Sequence, residues 1–91
     1  LMVGCTSSET RVAECQKGIG EACNQLGREA EGKAAEGYFR RACELANTNG
    51  CVNLAAHLGD RDPAETKRVL AYACDRGNTN ACARLVTFLA R

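Results

Sequence analysis

Apolar positions along the chain recur at helical spacing in six short runs, separated by Gly, Asn or Asp-Pro. From Ser8 to Lys17 a short, mostly polar run turns Val12, Ala13 and Cys15 to one side. Glu21 to Glu31 places Ala22, Cys23, Leu26 and Ala30 in an i, i+4, i+8 row, and Gly32 breaks it. Lys33 to Ala46 resumes the period with Ala35, Tyr38, Phe39, Ala42 and Leu45 apolar. Gly50 to Leu58 repeats the earlier run, Leu54 and Leu58 standing where Leu26 and Ala30 stood. Asp62-Pro63-Ala64-Glu65 is the sharpest local signal: Asp62 can cap, Pro63 suits the first helical position, and Glu65 can reach back to the cap. That helix is expected to run to Arg76 with Val69, Leu70 and Ala73 inward. The last run, Asn80 to Ala90, carries Ala81, Leu85, Val86, Phe88 and Leu89. No run has the alternation of a strand, so the chain is read as all-α.

The runs are paired by a motif that occurs three times. Cys15 and Cys23, Cys43 and Cys51, and Cys74 and Cys82 each enclose seven residues. A small residue (Gly18, Ala46, Gly77) follows the first cysteine by three, and another (Ala22, Gly50, Ala81) precedes the second. Residues eight apart on one continuous helix are about 12 Å apart, whereas a disulfide needs Cα atoms roughly 4.4 to 6.8 Å apart. If the cysteines pair, the chain must reverse between them. Gly and Asn favour such a reversal, and Thr48, Asn49, Thr79 and Asn80 are expected to cap the helices that follow. Each copy thus reads as the tip of a stapled helical hairpin. The other readings are free thiols or a metal site, but metal-binding cysteines usually lie two to four residues apart, and the chain has no Cys-x-x-Cys and one histidine.

Copies spaced by 28 and 31 residues point to an array of helix pairs. Ala22-Cys23-Asn24-Gln25-Leu26-Gly27 and Cys51-Val52-Asn53-Leu54-Ala55, together with the run Ala34 to Cys43, resemble the Sel1-like repeat family, in its cysteine-rich branch of secreted bacterial proteins. The resemblance covers roughly residues 10 to 91. It implies a right-handed α/α solenoid of about three disulfide-stapled helix-turn-helix repeats. It also implies that the helices Lys33 to Ala46 and Pro63 to Arg76 line a concave face, with Tyr38, Arg40, Arg41, Tyr72 and Arg76 as partner-binding candidates. Residues 9–91 are taken as the repeat domain and residues 1–8 as a tether.

With 91 residues, no Trp and four Phe and Tyr in all, the core is expected to be thin. In the chain-entropy account, closing a nine-residue loop contributes about 2.5 kcal/mol, so three staples approach the ~5 to 15 kcal/mol that stabilises a typical domain. Disulfides on which folding depends argue for an oxidising compartment: bacterial periplasm, outer membrane or secretion, with the mitochondrial intermembrane space as the alternative. The net charge of +1, with both signs interspersed, gives no basic stripe for nucleic acid. No apolar run approaches the ~18 residues of a membrane span. Cys5 is the odd cysteine. Val3-Gly4-Cys5, with Leu1 upstream, resembles the end of a bacterial lipoprotein signal, which implies lipidation at Cys5 and a lipid anchor; the other reading is an ordinary free thiol.

Catalytic constellations are scarce. His57 is the single histidine and reads as a helix-surface residue; Ser7 and Ser8 are the only serines; Asp60 and Asp62 flank Arg61 in a turn. The chain has no Ser-x-x-Lys, Cys-x-x-Cys-His or phosphate-binding loop. No cofactor and no metal is expected. The leading functional reading is a non-catalytic scaffold for an unidentified protein partner. The alternative, carried by resemblance, is a weak β-lactamase-like hydrolase or cell-wall-ligand binder. The sequence ends without a polar closing helix, so its last helix is expected to fold over, self-associate or receive a partner. Leu85 and Leu89 are expected to pack on the preceding helix, while Val86 and Phe88 form an apolar patch unless Phe88 bends back onto the core.

Overall fold

The structure is a computed structural model that describes residues 8–91. Cys5 and the tether before residue 8 lie outside the described residues. Six helices, and no strand among these residues, make up the fold: α1 (Ser8–Gln16), α2 (Gly20–Glu29), α3 (Gly32–Glu44), α4 (Thr48–Leu58), α5 (Pro63–Asp75) and α6 (Thr79–Leu89). Each helix packs on the next, and α2 also touches α4, as α4 touches α6. The body measures 51 × 25 × 16 Å. Its radius of gyration is 13.8 Å, above the roughly 12 Å of a compact chain this long.

The helix pairs α1/α2, α3/α4 and α5/α6 turn in the same way. Gly18, Ala46 and Gly77 all take positive φ, at 100°, 66° and 93°. The amides of these three residues donate to the carbonyls of Cys15, Cys43 and Cys74 at 3.0, 2.9 and 2.9 Å. The amides of Ile19, Asn47 and Asn78 donate to the carbonyls of Glu14, Ala42 and Ala73 at 3.0, 2.9 and 3.1 Å. These paired bonds are a Schellman ending, which satisfies the last carbonyls of one helix while swinging the chain back. Only three residues separate one helix from the next. Ala46 is the exception to glycine here, and a left-handed conformation costs an L-residue on the order of 1–2 kcal/mol.

The residue after the left-handed position is already extended, so it becomes the N-cap. Asn47 Oδ1 accepts from the Gly50 amide at 2.8 Å, and Asn78 Oδ1 accepts from the Ala81 amide at 3.0 Å. The caps are therefore Asn47 and Asn78, and the expected Thr48, Asn49, Thr79 and Asn80 sit inside the first turn. The reversal ends sooner than its composition suggests, so α4 and α6 begin before the expected caps. Asp62 caps α5 as expected, its Oδ1 accepting from the Glu65 amide at 3.0 Å. The return half of the capping box is not made, because the Glu65 carboxylate bonds to Arg40 and Arg68 instead.

Such tight reversals bring the paired helices close. The S–S bonds join Cys15 to Cys23, Cys43 to Cys51 and Cys74 to Cys82, with Cα separations of 4.8, 4.6 and 4.6 Å. Close approach requires small residues at the contact. A Cβ on Gly50 would lie 2.5 Å from the Cβ of Ala42, and one on Gly27 would lie 2.5 Å from the Phe39 ring. Phe39 therefore lies in the gap that Gly27 leaves in α2, and it is buried.

Apolar burial falls into two clusters, one around Cys15, Ala22, Leu26 and Ala42, the other around Phe39, Leu54, Leu58, Val69 and Leu70. Three expectations need correction. Ala13 is exposed, because α1 packs on α2 with Val12 and Cys15 as its apolar contacts and Arg11 bonded to Gln25 and Glu29. Helix α2 stops at Glu29, where Ala30 turns extended. Leu85 is half-buried, but Leu89 is 56% exposed, beyond the reach of α5 near the end of α6. Phe88 packs partly on the larger cluster, with the Arg91 guanidinium 5.2 Å from its ring, while Val86 is 68% exposed. Among the α6 residues only Ala81 is fully buried.

The first hairpin departs from its repeats at one cap: Ile19 has the extended backbone of Asn47 and Asn78 but no side chain able to accept from the helix. Ile19 is 48% exposed, so little packing is at risk. Ile19→Asn should stabilise the protein by about 1 kcal/mol, seen as a Tm higher by about 4–8 °C. A lower Tm would show that the Ile19 side chain contributes more than the missing cap.

Candidate functional site

Two grooves lie in register on the side of the protein formed by the first helix of each pair. One runs between α1 and α3, with a volume of about 440 Å³, and is lined by Cys15, Gln16, Lys33, Gly37, Tyr38 and Arg41. The other lies between α3 and α5, about 400 Å³, and is lined by Cys43, Glu44, Leu54, Arg68, Val69 and Tyr72, with Arg40 and Glu65 at its edge. Superposing the cysteine motifs matches Cys15 with Cys43, Gln16 with Glu44, Gly37 with Arg68, Tyr38 with Val69 and Arg41 with Tyr72. The same backbone positions thus build both grooves, with different side chains.

The partner-binding candidates divide accordingly. Tyr38 and Arg41 line the α1/α3 groove, and Arg40 and Tyr72 the α3/α5 groove. Arg76 stacks its guanidinium 4.4 Å from the Tyr72 ring centroid, holding that ring at the groove. Phe88 lines a third cleft, about 570 Å³, together with Ala55, Leu70 and Arg84. Val86 lines none of the three.

A chain of charges that sequence reading missed crosses from α3 to α5. Arg61 Nη2 lies 2.6 Å from Glu36 Oε1, and Arg40 Nη2 lies 3.5 Å from Glu36 Oε2. Arg40 also takes Glu65 with both terminal nitrogens, and Arg68 Nη2 reaches Glu65 Oε2 at 3.0 Å. The Arg61 hydrogen bond holds the Glu36 carboxyl below its ordinary range, Arg40 adding to it against the opposing effect of burial. The Arg40 hydrogen bond does the same to Glu65, and Glu65 in turn raises Arg40. The Glu36–Arg40 pair was legible as an i, i+4 spacing. Arg40–Glu65 spans 25 residues and depends on how α5 lies beside α3.

The capping asparagines carry a second, smaller set of bonds. Asn47 Nδ2 donates to Glu21 Oε1 at 3.1 Å, and Asn78 Nδ2 donates to Thr48 Oγ1 at 3.0 Å and to Asn49 Oδ1 at 3.1 Å. Glu21 and Asn49 hold equivalent positions in α2 and α4, so one side chain caps its own helix and ties it to the preceding hairpin. Deeper in the same face, Asn53 Nδ2 donates to the buried Asn24 Oδ1 at 2.9 Å.

His57 is exposed and stacks on Phe39 with ring centroids 5.2 Å apart. Asp60 pairs with Arg91, and Asp62 serves as a cap. Among the described residues no group of three or more His, Cys, Asp and Glu could hold a metal ion. The staples and charge pairs orient helices and line grooves.

Because the folded Glu36 and Glu65 lie below their unfolded values, the charge chain stabilises the fold fully above the unfolded pKa of about 4.3 and progressively less as pH falls through the folded values. Tm measured from pH 7 to pH 3 should therefore fall at the acid end. Glu65→Gln should lower Tm at pH 7 and flatten the acid fall, since Glu65 is only 13% exposed and loses its charged bonds to two arginines. Coincident curves would show that Glu65 contributes nothing to stability, and parallel, offset curves that its contribution does not depend on its ionisation.

Compared with known proteins, the chain matches no family model, no curated protein and no solved structure, so its functional reading rests on the stapled hairpins and the grooves between them.

Proposed function

We propose that this protein is a non-catalytic scaffold of the Sel1-like kind, a right-handed α/α solenoid of stapled hairpins that binds a protein partner along the α1/α3/α5 side. The observation that carries this reading is the register of the two grooves, built from equivalent positions beside successive staples. Repeated Schellman turns and the asparagine ties between hairpins support the solenoid part of the reading, because each hairpin meets the next through the same residues.

Side chains in the grooves suit recognition of a peptide or protein surface. Tyr38 and Tyr72 offer flat, amphipathic contact area, and Arg41 and Lys33 are exposed cations beside the first of them. Three disulfides point to an oxidising environment. Within the proposal that environment is the bacterial periplasm, outer membrane or exterior, with Cys5 as the lipid-anchored residue. Among the described residues no helix is long and apolar enough to cross a membrane.

Arg41 and Glu44 are exposed groove residues on α3, one in each groove. Pull-down from bacterial envelope extracts with wild type, Arg41→Glu and Glu44→Arg tests the reading, with a reporter β-lactam assay on the same samples. The expected result is a partner retained by wild type, lost with at least one variant at unchanged Tm, and no β-lactam turnover. A captured set indifferent to both variants, or turnover by wild type, would overturn it.

A further inference from the structure

We propose that Cys74–Cys82 is a site of reversible thiol–disulfide exchange with an external dithiol, and that its reduction releases α6 while the other two hairpins stay folded. The proposal stands apart from the groove reading and rests on how differently three equivalent staples are covered. Cys15, Cys23, Cys43 and Cys51 are all buried, whereas Cys74 and Cys82 are both half-exposed. Leu45 comes within 3.9 Å of where a Cβ on Gly18 would be, and Leu45 and Asn47 crowd Gly20, so the second hairpin closes over the first turn. At the equivalent Gly77 nothing lies within 4 Å.

Exchange requires a thiolate to reach a disulfide sulfur, so access selects among bonds of like type. Helix ends then select the sulfur. Cys82 lies four residues after the Asn78 cap, beside the positive end of α6, and Cys74 lies at the negative end of α5. Cys82 is therefore the better thiolate and the better leaving group. The dithiol's thiolate attacks Cys74 Sγ; the S–S bond breaks and its electron pair departs on Cys82 Sγ, which takes a proton from water. The reagent's second thiol, deprotonated, attacks its own sulfur in the mixed disulfide and displaces the Cys74 thiolate, which is protonated in turn. Two electrons pass to the protein, and the dithiol becomes a cyclic disulfide.

The consequence follows from the burial along α6. Ala81 is its one fully buried residue, against six in α4. Without the staple, α6 is held by the Schellman bonds of the turn, by the Asn78 cap and its ties to Thr48 and Asn49, by the Arg91–Asp60 pair and by half-buried Leu85 and Phe88. Opening α6 uncovers Leu70, which lies beneath Phe88 in the third cleft.

The test treats the full chain under native conditions with increasing dithiothreitol, quenches with an alkylating reagent, and maps modified cysteines by mass spectrometry; hydrogen exchange is followed in parallel. Cys74 and Cys82 should be alkylated first, as a pair, with α6 amides losing protection while α2 to α4 keep theirs. With glutathione, a monothiol, the trapped mixed disulfide should sit on Cys74. The Cys74→Ser/Cys82→Ser protein should show the same α6 exchange without reductant. Simultaneous reduction of all three bonds, earlier reduction at Cys15–Cys23, glutathione on Cys82, or unchanged α6 protection on reduction would each overturn the proposal.

Discussion

Everything in this fold depends on reversing a helix within three residues and tying the two arms together beside the reversal. The left-handed residue at Gly18, Ala46 or Gly77 satisfies the carbonyls of one helix and leaves the next residue extended, ready to cap the other. The cysteines sit just inside the two helix ends, where Cα atoms come within 4.8 Å. Helices this close tolerate only small side chains between them. Gly50 against Ala42, beside the second staple, and Gly27 against Phe39, between hairpins, show this requirement. A core this thin gives up hydrophobic stabilisation, which the covalent links offset by limiting the unfolded chain.

Hairpins stapled in this way still have to be placed relative to one another. Between the first and second, Leu45 and Asn47 pack onto the first turn, and Phe39 fills the space left by Gly27. Asparagine caps tie turn to turn, and the Arg61–Glu36–Arg40–Glu65–Arg68 chain ties α3 to α5 at a different level. Polar groups do much of the positioning that large apolar side chains do in thicker domains. The grooves are the space left between helices held at this spacing, which is why their lining residues occupy equivalent positions.

Local features were legible in the sequence where they depend on near neighbours. The six helices and the Asp62 cap follow from periodicity and capping chemistry within a few residues, whereas the break expected at Gly32 falls at Ala30 and Glu31, and Gly32 begins α3. The cysteine spacing carried the hairpin reading because pairing and a continuous helix are geometrically incompatible. The caps were expected at Thr48, Asn49, Thr79 and Asn80 rather than at Asn47 and Asn78, because the reversal ends sooner than turn composition alone suggests. Leu89 was misread because the repeat places it like Leu58, whereas burial depends on what lies opposite. The Glu65–Arg40 bond depends on helix-to-helix placement, which no local pattern encodes, whereas Tyr38 and Arg41 share a face of α3 through their i, i+3 spacing. Equivalence between Arg41 and Tyr72 could have been found by aligning the cysteine motifs and asking which positions change chemistry.

The claim at the centre of this account is that each disulfide closes one hairpin and none joins two. Proteolysis without reduction, followed by mass spectrometry of the linked peptides, tests it most directly. The account requires Cys15 linked to Cys23, Cys43 to Cys51 and Cys74 to Cys82, each between arms of the same hairpin. A linkage between cysteines of different hairpins in the native protein would contradict it.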